Sequence, residues 1–577
     1  MQLAVFESLT FNVPRGFSRA YGVVWFFACL LSTPLTAQDF SNEACANAHD
    51  KNQESLAPNR QILEASPLPN RQPKRTIHHI ELVQLNVFNT DLPEENNALF
   101  RFANRAHIQT EAEVIKQVLL FQEGDEYLPE KLIESERLLR QQRYLYDARI
   151  YADVACEGDI HITVVTRDLW TLLPDLGFSH SGGESKSRIG FRETNLLGKG
   201  KRLSLTYTTD ETRKGYLFVY EDPNIWGTRY TGRLDYADND DGQMHMLSMA
   251  YPFYALDTPY AYGFATGSNK RTESLYERGE VVHEFSQQTD LHQIYFGHST
   301  AVAQDWTRRI IFGFQEDKEH FTSLSTSTRI LPTDRLYRYP YIEYNWLENA
   351  YVKVRNVDSI FRTEDLQLGW NIGAKLGYSD KGLGDDESRW LYWFFASKSH
   401  YVNDRSLIKF TAQSHGAWKV DSRETENQRL QLGLQYYYND NSTESWFANL
   451  EYQHIRKMTS DKQLTLGGET GLRGYPAHYL QGDSTWLLNI ERRYYWEYDL
   501  WQLFKVGGAV FVDVGKTTGK PLFQPELSTL SDAGFGLRLA PSRANSNLML
   551  HMDIAWPIQK DEKVDAMQWQ FTVKNRF

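Results

Sequence analysis

The chain has 577 residues, a formal net charge of −12, 14% aromatic residues and a mean hydropathy of −0.54. The length exceeds one ordinary domain, and the acidic balance argues against a broad nucleic-acid surface. Outside the first 40 residues no apolar run approaches the roughly 18 residues of a spanning helix, so an aromatic-rich chain this polar suits either a Tyr-rich β protein or a membrane barrel whose strands show apolar side chains to lipid at alternate positions.

Residues 1–37 read as a secretory signal. Arg15 and Arg19 precede the short apolar core "VVWFFACLL", and "STPLTAQ" offers cleavage after Ala37. Residues 38–75 are polar and proline-dotted without a sustained period, which is the pattern of a flexible leader. Cys45 and Cys156 remain in the mature chain. An oxidising compartment permits a disulfide between them, and two unpaired thiols stay equally open.

Residues 76–167 change character. "TIHHIELVQLNVF" alternates as a strand does. "TEAEVIKQVLLF" has helical spacing and opens on Thr110 and Glu113, a capping-box spacing. "LPEKLIESERLLRQQRYL" predicts a second amphipathic helix, with Leu132, Ile133, Leu138 and Leu139 on one face and the charges on the other. "DARIYADVACEGDIHITVVTRD" reads as two strands about Gly158. The expectation is a small α+β domain of order β-α-α-β-β.

From 168 to 577 the helical periods stop. Segments of about ten alternating residues recur between turn residues, as in "KRLSLTYTTD", "QRLQLGLQYYYND" and "WFANLEYQHI". In "FKVGGAVFVDVG" Val510, Val512 and Val514 share one face, and Lys505, Phe511 and Asp513 the other. In "MQWQFTVKNRF" Met567, Trp569, Phe571 and Val573 alternate with Gln568, Gln570, Thr572 and Lys574. Each strand has an apolar face and a face that carries charge. A sandwich and a transmembrane barrel share this period. The long unbroken block, the signal ahead of it and aromatics at strand ends favour an antiparallel transmembrane barrel, with a raw count of about 20 strands and uncertain hairpins between about 270 and 365.

Five segments occur in an order that resembles one family. They are "LLFQEGDEYLPEKLIESERLLRQQRYLYDARI", "FRETNLLGKGKRLSLTY", "GGETGLRGYPAHY", "FVDVG" and the terminal Phe577. Together they resemble the BamA/TamA superfamily of outer-membrane assembly and translocation proteins, the bacterial surface antigen family. The resemblance covers nearly everything after the leader. It implies a single POTRA domain in the periplasm and a barrel of 16 strands in the bacterial outer membrane. It also implies an RGY loop, about 459–483, folded into the lumen. Carried over by residue, Arg473 is the motif arginine, set in Gly467, Gly468, Leu472, Gly474 and Tyr475. Asp513 is its acidic partner, and Glu491 is a second candidate because it shares the polar face with Asn489 and Arg493. Trp569, Phe571, Val573 and Phe577 form the C-terminal signal. The POTRA domain is then expected to take unfolded outer-membrane or secreted protein clients by strand addition, with the Arg473 loop locking the lumen. A periplasmic or inner-membrane partner is also implied.

No catalytic constellation stands out. GxSxG, HExxH, a Walker motif and GxGxxG are absent from the sequence, so the expectation is a non-enzyme without cofactor or metal. His78 and His79 are adjacent on the first strand and point to opposite faces. A passive channel and a structural or surface-antigen barrel with no client remain the alternatives.

Overall fold

A computed structural model describes residues 75–154, 159–210, 213–303, 305–324, 331–519, 528–544 and 549–574. The signal segment, Cys45, Cys156, Phe577 and the leader up to residue 74 lie outside the described residues. The chain divides into two compact units, with the boundary between Leu169 and Trp170.

The first unit is α+β. Its sheet has the order β1-β3-β2, where β1 is Ile77–Leu85, β2 Leu145–Val154 and β3 Ile160–Asp168. β1 runs parallel to β3, and β2 antiparallel. Three helices lie between β1 and β2: α1 (Ala98–Ala106), α2 (Ala112–Val118) and α3 (Pro129–Arg140). The order is therefore β-α-α-α-β-β, one helix more than expected. The added α1 follows directly on "NTDLPEENN", a run of turn residues that reads as a loop. Asn97 caps it by accepting the Phe100 N–H at 2.9 Å, and Phe100 stacks on Phe88 with ring centroids 4.1 Å apart.

Two local readings change for physical reasons. Thr110 does not cap α2, which has no side-chain cap; its hydroxyl instead donates to the buried Asp168 carboxylate at 3.0 Å. A charged acceptor makes the stronger bond. On α3, Leu132 and Leu139 are buried with Val114, Ile115 and Val118 of α2, while Ile133 points away and is exposed. Two charges turn inward in its place. Glu136 accepts the Ile150 N–H at 2.9 Å and Arg140 donates to the Ala148 carbonyl at 3.1 Å, so both side chains satisfy the outer edge of β2.

The second unit is a closed antiparallel barrel of twenty strands, with the interrupted first strand (Leu172–Pro174 and Gly177–Ser181, both paired to Glu184–Leu196) counted once. Twenty agrees with the count of alternating segments and replaces the 16 that the resemblance implied. Strands Tyr260–Glu277, Glu280–Ala303, Trp306–Ser323 and Arg335–Glu348 fill the stretch where hairpins were uncertain. The wall follows the alternation: Val510 and Val512 are 54% and 42% exposed on the outside, and Phe511 and Asp513 are 1% and 0% exposed on the inside. An apolar exterior over a charged interior is the pattern of a barrel in lipid, where ring closure pairs the backbone groups. No helix among the described residues is long and apolar enough to cross a membrane.

The even strand number brings the first and last strands to one mouth, here the near mouth. The connection 457–483 lies at the opposite, far mouth. Near-mouth connections are mostly short, such as 404–405, 440–443 and 501–503; the exception is 349–370, which carries its own two-stranded hairpin, Tyr351–Val354 with Glu364–Gln367.

Candidate functional site

The far-mouth connection 457–483 joins strands Glu444–Arg456 and Ser484–Leu500. It turns back on itself through a small ladder, Leu464–Leu466 against Leu480–Gly482. Its apolar side chains then need a surface to cover. Leu466, Leu472, Tyr475, Tyr479 and Leu480 form one buried cluster with Leu487, Leu530 and Val564 of the barrel. Leu472 and Tyr475 are fully buried. The Tyr475 hydroxyl reaches the Ser531 and Gln559 carbonyls, each at 3.0 Å, so its polar end is satisfied.

Two glycines make this path possible. Gly471 has φ +119°, and a Cβ there would lie 2.1 Å from the Leu487 side chain. Gly474 is needed for approach, because a Cβ there would lie 2.6 Å from the Asp532 Cβ. The backbone on either side of Arg473 is thus pressed to the wall by positions that exclude side chains.

Arg473 is 5% exposed. Its Nε and Nη2 donate to the two Asp513 carboxylate oxygens at 2.7 and 2.8 Å, a bidentate fork. Nη1 donates to Glu491 at 3.0 Å and lies 3.6 Å from Asp553. The guanidinium lies over the Phe511 ring, 3.4 Å from its centroid. Asn489 links the loop to the same carboxylate, donating to Asp513 at 2.8 Å and to the Gly471 carbonyl at 3.0 Å. Gln570 of the last strand donates to the Arg473 carbonyl at 3.0 Å. Charge, amide and ring contacts thus tie the loop to four strands of the wall, and the Tyr475 hydroxyl on the Ser531 carbonyl adds the strand that lies among them.

The structure brings Arg473, Asp513 and Glu491 together. Asp553, Phe511, Asn489 and Gln570 join them and were not assigned as partners from sequence. The available signal is parity: each lies on the charge-bearing face of its strand, where the alternation places Phe511, Asn489 and Gln570. Glu491 also binds Arg493 at 2.9 Å, and Asp553 binds Arg538 at 2.5 Å, so the pin is part of a larger lumenal charge network. Beside it lies a cavity of about 880 Å³ lined by residues that include Arg271, Gln287, Arg429, Glu451 and Lys574.

A tall hairpin covers the loop from the far side. The Gly279 N–H donates to the His478 carbonyl at 3.3 Å, and Tyr276 stacks on His478 with centroids 3.9 Å apart. Arg278 pairs with Asp561.

The last strand, Gln568–Lys574, carries Trp569, Phe571 and Val573 away from the lumen and Gln568, Gln570 and Thr572 into it. It ladders along Met549–Ala555 of the preceding strand. Against the first strand, among the described residues, it forms one register pair, Phe571 opposite His180. Rings supplement this seam: His180 stacks on Trp569 at 4.1 Å, and Phe178 contacts Phe571 at 6.0 Å.

No protein-family model matches the chain, and no curated protein does. Among solved structures, the chain is similar to BamA from Haemophilus ducreyi lacking POTRA domains 1–3, at 12% identity, with 87% of this chain and 85% of that chain covered and a TM-score of 0.37. It is also similar to CdiB from Acinetobacter baumannii, at 14% identity, with 86% and 73% covered and a TM-score of 0.43. CdiB from Escherichia coli is similar at 12% identity, with 90% and 94% covered and a TM-score of 0.38.

Proposed function

We propose that this chain is an outer-membrane barrel that inserts or translocates protein clients, with its α+β unit acting as a periplasmic POTRA-like domain. The observation that carries the reading is the seam, where among the described residues a single register pair stands in a wall otherwise laddered strand to strand. A poorly paired edge exposes backbone groups that an extended client strand can take up. The Arg473 loop bridges that seam, bonded to the last strand through Gln570 and to the first through Ser179, which donates to Glu469 at 2.7 Å, and acts as the lock that holds the wall in register. The α+β unit supplies capture by strand addition. Since Glu136 and Arg140 already occupy the β2 edge at Ile150 and Ala148, capture falls toward Ala152–Val154, where Val154 is exposed. A passive channel is the weaker reading, because a tightly packed loop stands in the lumen.

The test is a cysteine pair across the seam, His180→Cys with Phe571→Cys, in the full chain reconstituted in liposomes. Residues directly opposed in antiparallel strands are within disulfide reach. Assembly of an unfolded outer-membrane client is expected to fall when the pair is oxidised and to recover on reduction. Undiminished assembly by the oxidised protein rules out the seam as the route.

A further inference from the structure

We propose that the near-mouth connection 349–370 is a second lumenal plug, which closes the barrel from the end opposite the Arg473 loop. This goes beyond the client reading and does not rest on it. Barrels of about 16–18 strands already enclose an aqueous channel, so a lumen of twenty strands conducts unless a plug blocks it somewhere along its length.

The hairpin is built to fill the near mouth. Its two short strands pair Tyr351–Val354 with Glu364–Gln367. The Glu364 carboxylate accepts the N–H groups of Val357, Asp358 and Ser359 at 3.2, 3.0 and 3.3 Å, which closes the tip without outside help. A tip organised by its own backbone is a preformed element.

Its apolar side chains are buried against the inner wall. Val354 and Val357 pack with Leu407, Tyr437 and Phe447; Ile360 packs with Tyr495, Ala509 and Met549. Val357 and Ile360 are each 3% exposed. These wall residues are lumenal by register, since Tyr437 stands opposite Phe447 and Phe447 opposite Glu491. They come from six different strands. The hairpin thus touches a wide arc of the barrel interior and does not lie along its rim. Polar contacts reinforce the seating: Lys409 pairs with Asp358 at 3.0 Å, and the Tyr495 hydroxyl donates to the Asn356 carbonyl at 3.2 Å.

The two closures use separate residues. The far loop is seated by Leu472, Tyr475 and the pairing of Arg473 with Asp513 and Glu491, and the near hairpin by Val357, Ile360 and Asp358. They meet the same wall at different depths. Arg493, which binds Glu491 of the far site, lies over the Phe447 ring of the near one, 3.8 Å from its centroid. Two plugs in series predict a specific electrical signature: removing one leaves the other in place.

The experiment measures conductance in planar bilayers with the full chain and three variants. One replaces 351–367 by a short Gly-Ser turn, one replaces 464–482 in the same way, and one carries both changes. A companion variant, Val357→Glu with Ile360→Glu, keeps the chain length and expels the hairpin by charge. Heat-modifiable electrophoretic mobility first establishes that each barrel is folded. The expected result is a stable open conductance when the far-loop replacement is combined with either hairpin change, and a closed barrel when the far loop alone is replaced. Equal conductance of the far-loop variant with and without the hairpin overturns the proposal, whether both are open or both are closed.

Discussion

Arg473 shows what one side chain can do when its partners are fixed to a rigid wall. The guanidinium is permanently charged, so its burial is tolerated only with carboxylates in the right plane. Asp513 supplies that plane, Glu491 and Asp553 the remaining charge, and Phe511 a ring face. Arg473→Ala leaves buried carboxylates without their cation, a change that costs about 3–5 kcal/mol for a fully buried pair and less beside a wet cavity. The expected outcome is a barrel that remains inserted and heat-modifiable, with a loop newly cut by protease added at the far mouth and with reduced client assembly. Normal client handling by this variant refutes the lock. Arg473→Lys keeps the charge and loses the fork, so its loop is expected to be cleaved at an intermediate rate. Gly474→Ala tests the same seat through sterics alone: the added methyl meets the Asp532 Cβ at 2.6 Å, and its cleavage pattern is expected to match that of Arg473→Ala. Arg278 offers the contrast. Its pair with Asp561 is partly exposed, and such pairs contribute about 0–1 kcal/mol. Arg278→Ala is expected to leave the loop nearly as protected as in the parent protein.

At the scale of elements, two connections and the seam depart from the repeating hairpin, and each has its own physical cause. The far loop folds inward because Leu472 and Tyr475 are apolar and glycine permits close approach. The 349–370 hairpin folds inward because Val357 and Ile360 find an apolar patch of wall at Tyr437, Phe447 and Tyr495. The seam is thin because the first strand is interrupted between Pro174 and Gly177, so it presents short segments to its neighbours. With material inside both mouths, the proposed client route falls at the seam. This argues for a broader expectation: closing the seam by the 180–571 cysteine pair abolishes assembly more completely than either plug variant.

At the scale of the whole molecule, the α+β unit and the barrel each have a core of their own. The unit buries Ile77, Ile115, Leu132 and Ile162 without recourse to the barrel wall, and the barrel closes through its own ladders. Deleting 75–168 is therefore expected to leave a folded, heat-modifiable barrel that has lost client assembly. A deletion variant that fails to fold shows that the unit is needed to build the barrel, and one that assembles clients normally removes the unit from the capture role.

What the sequence determined by itself is a matter of period. A strand in a wall between lipid and a polar lumen must alternate, and that alternation is local. It yields the class of fold, a strand count of about 20 and the inward face of Asp513, Glu491 and Phe511. Short elements escape it: α1 follows the turn residues "NTDLPEENN", and Thr110 has a capping spacing but a better acceptor in Asp168. What only the tertiary structure decided is where connections go once the barrel has closed. No local period shows that 349–370 enters the lumen, because its partners lie on strands from Leu407 to Met549. The completeness of the Arg473 site has the same origin. Asp553 and Gln570 reach it from the last two strands, brought round by ring closure and register to stand beside a loop that precedes them by tens of residues.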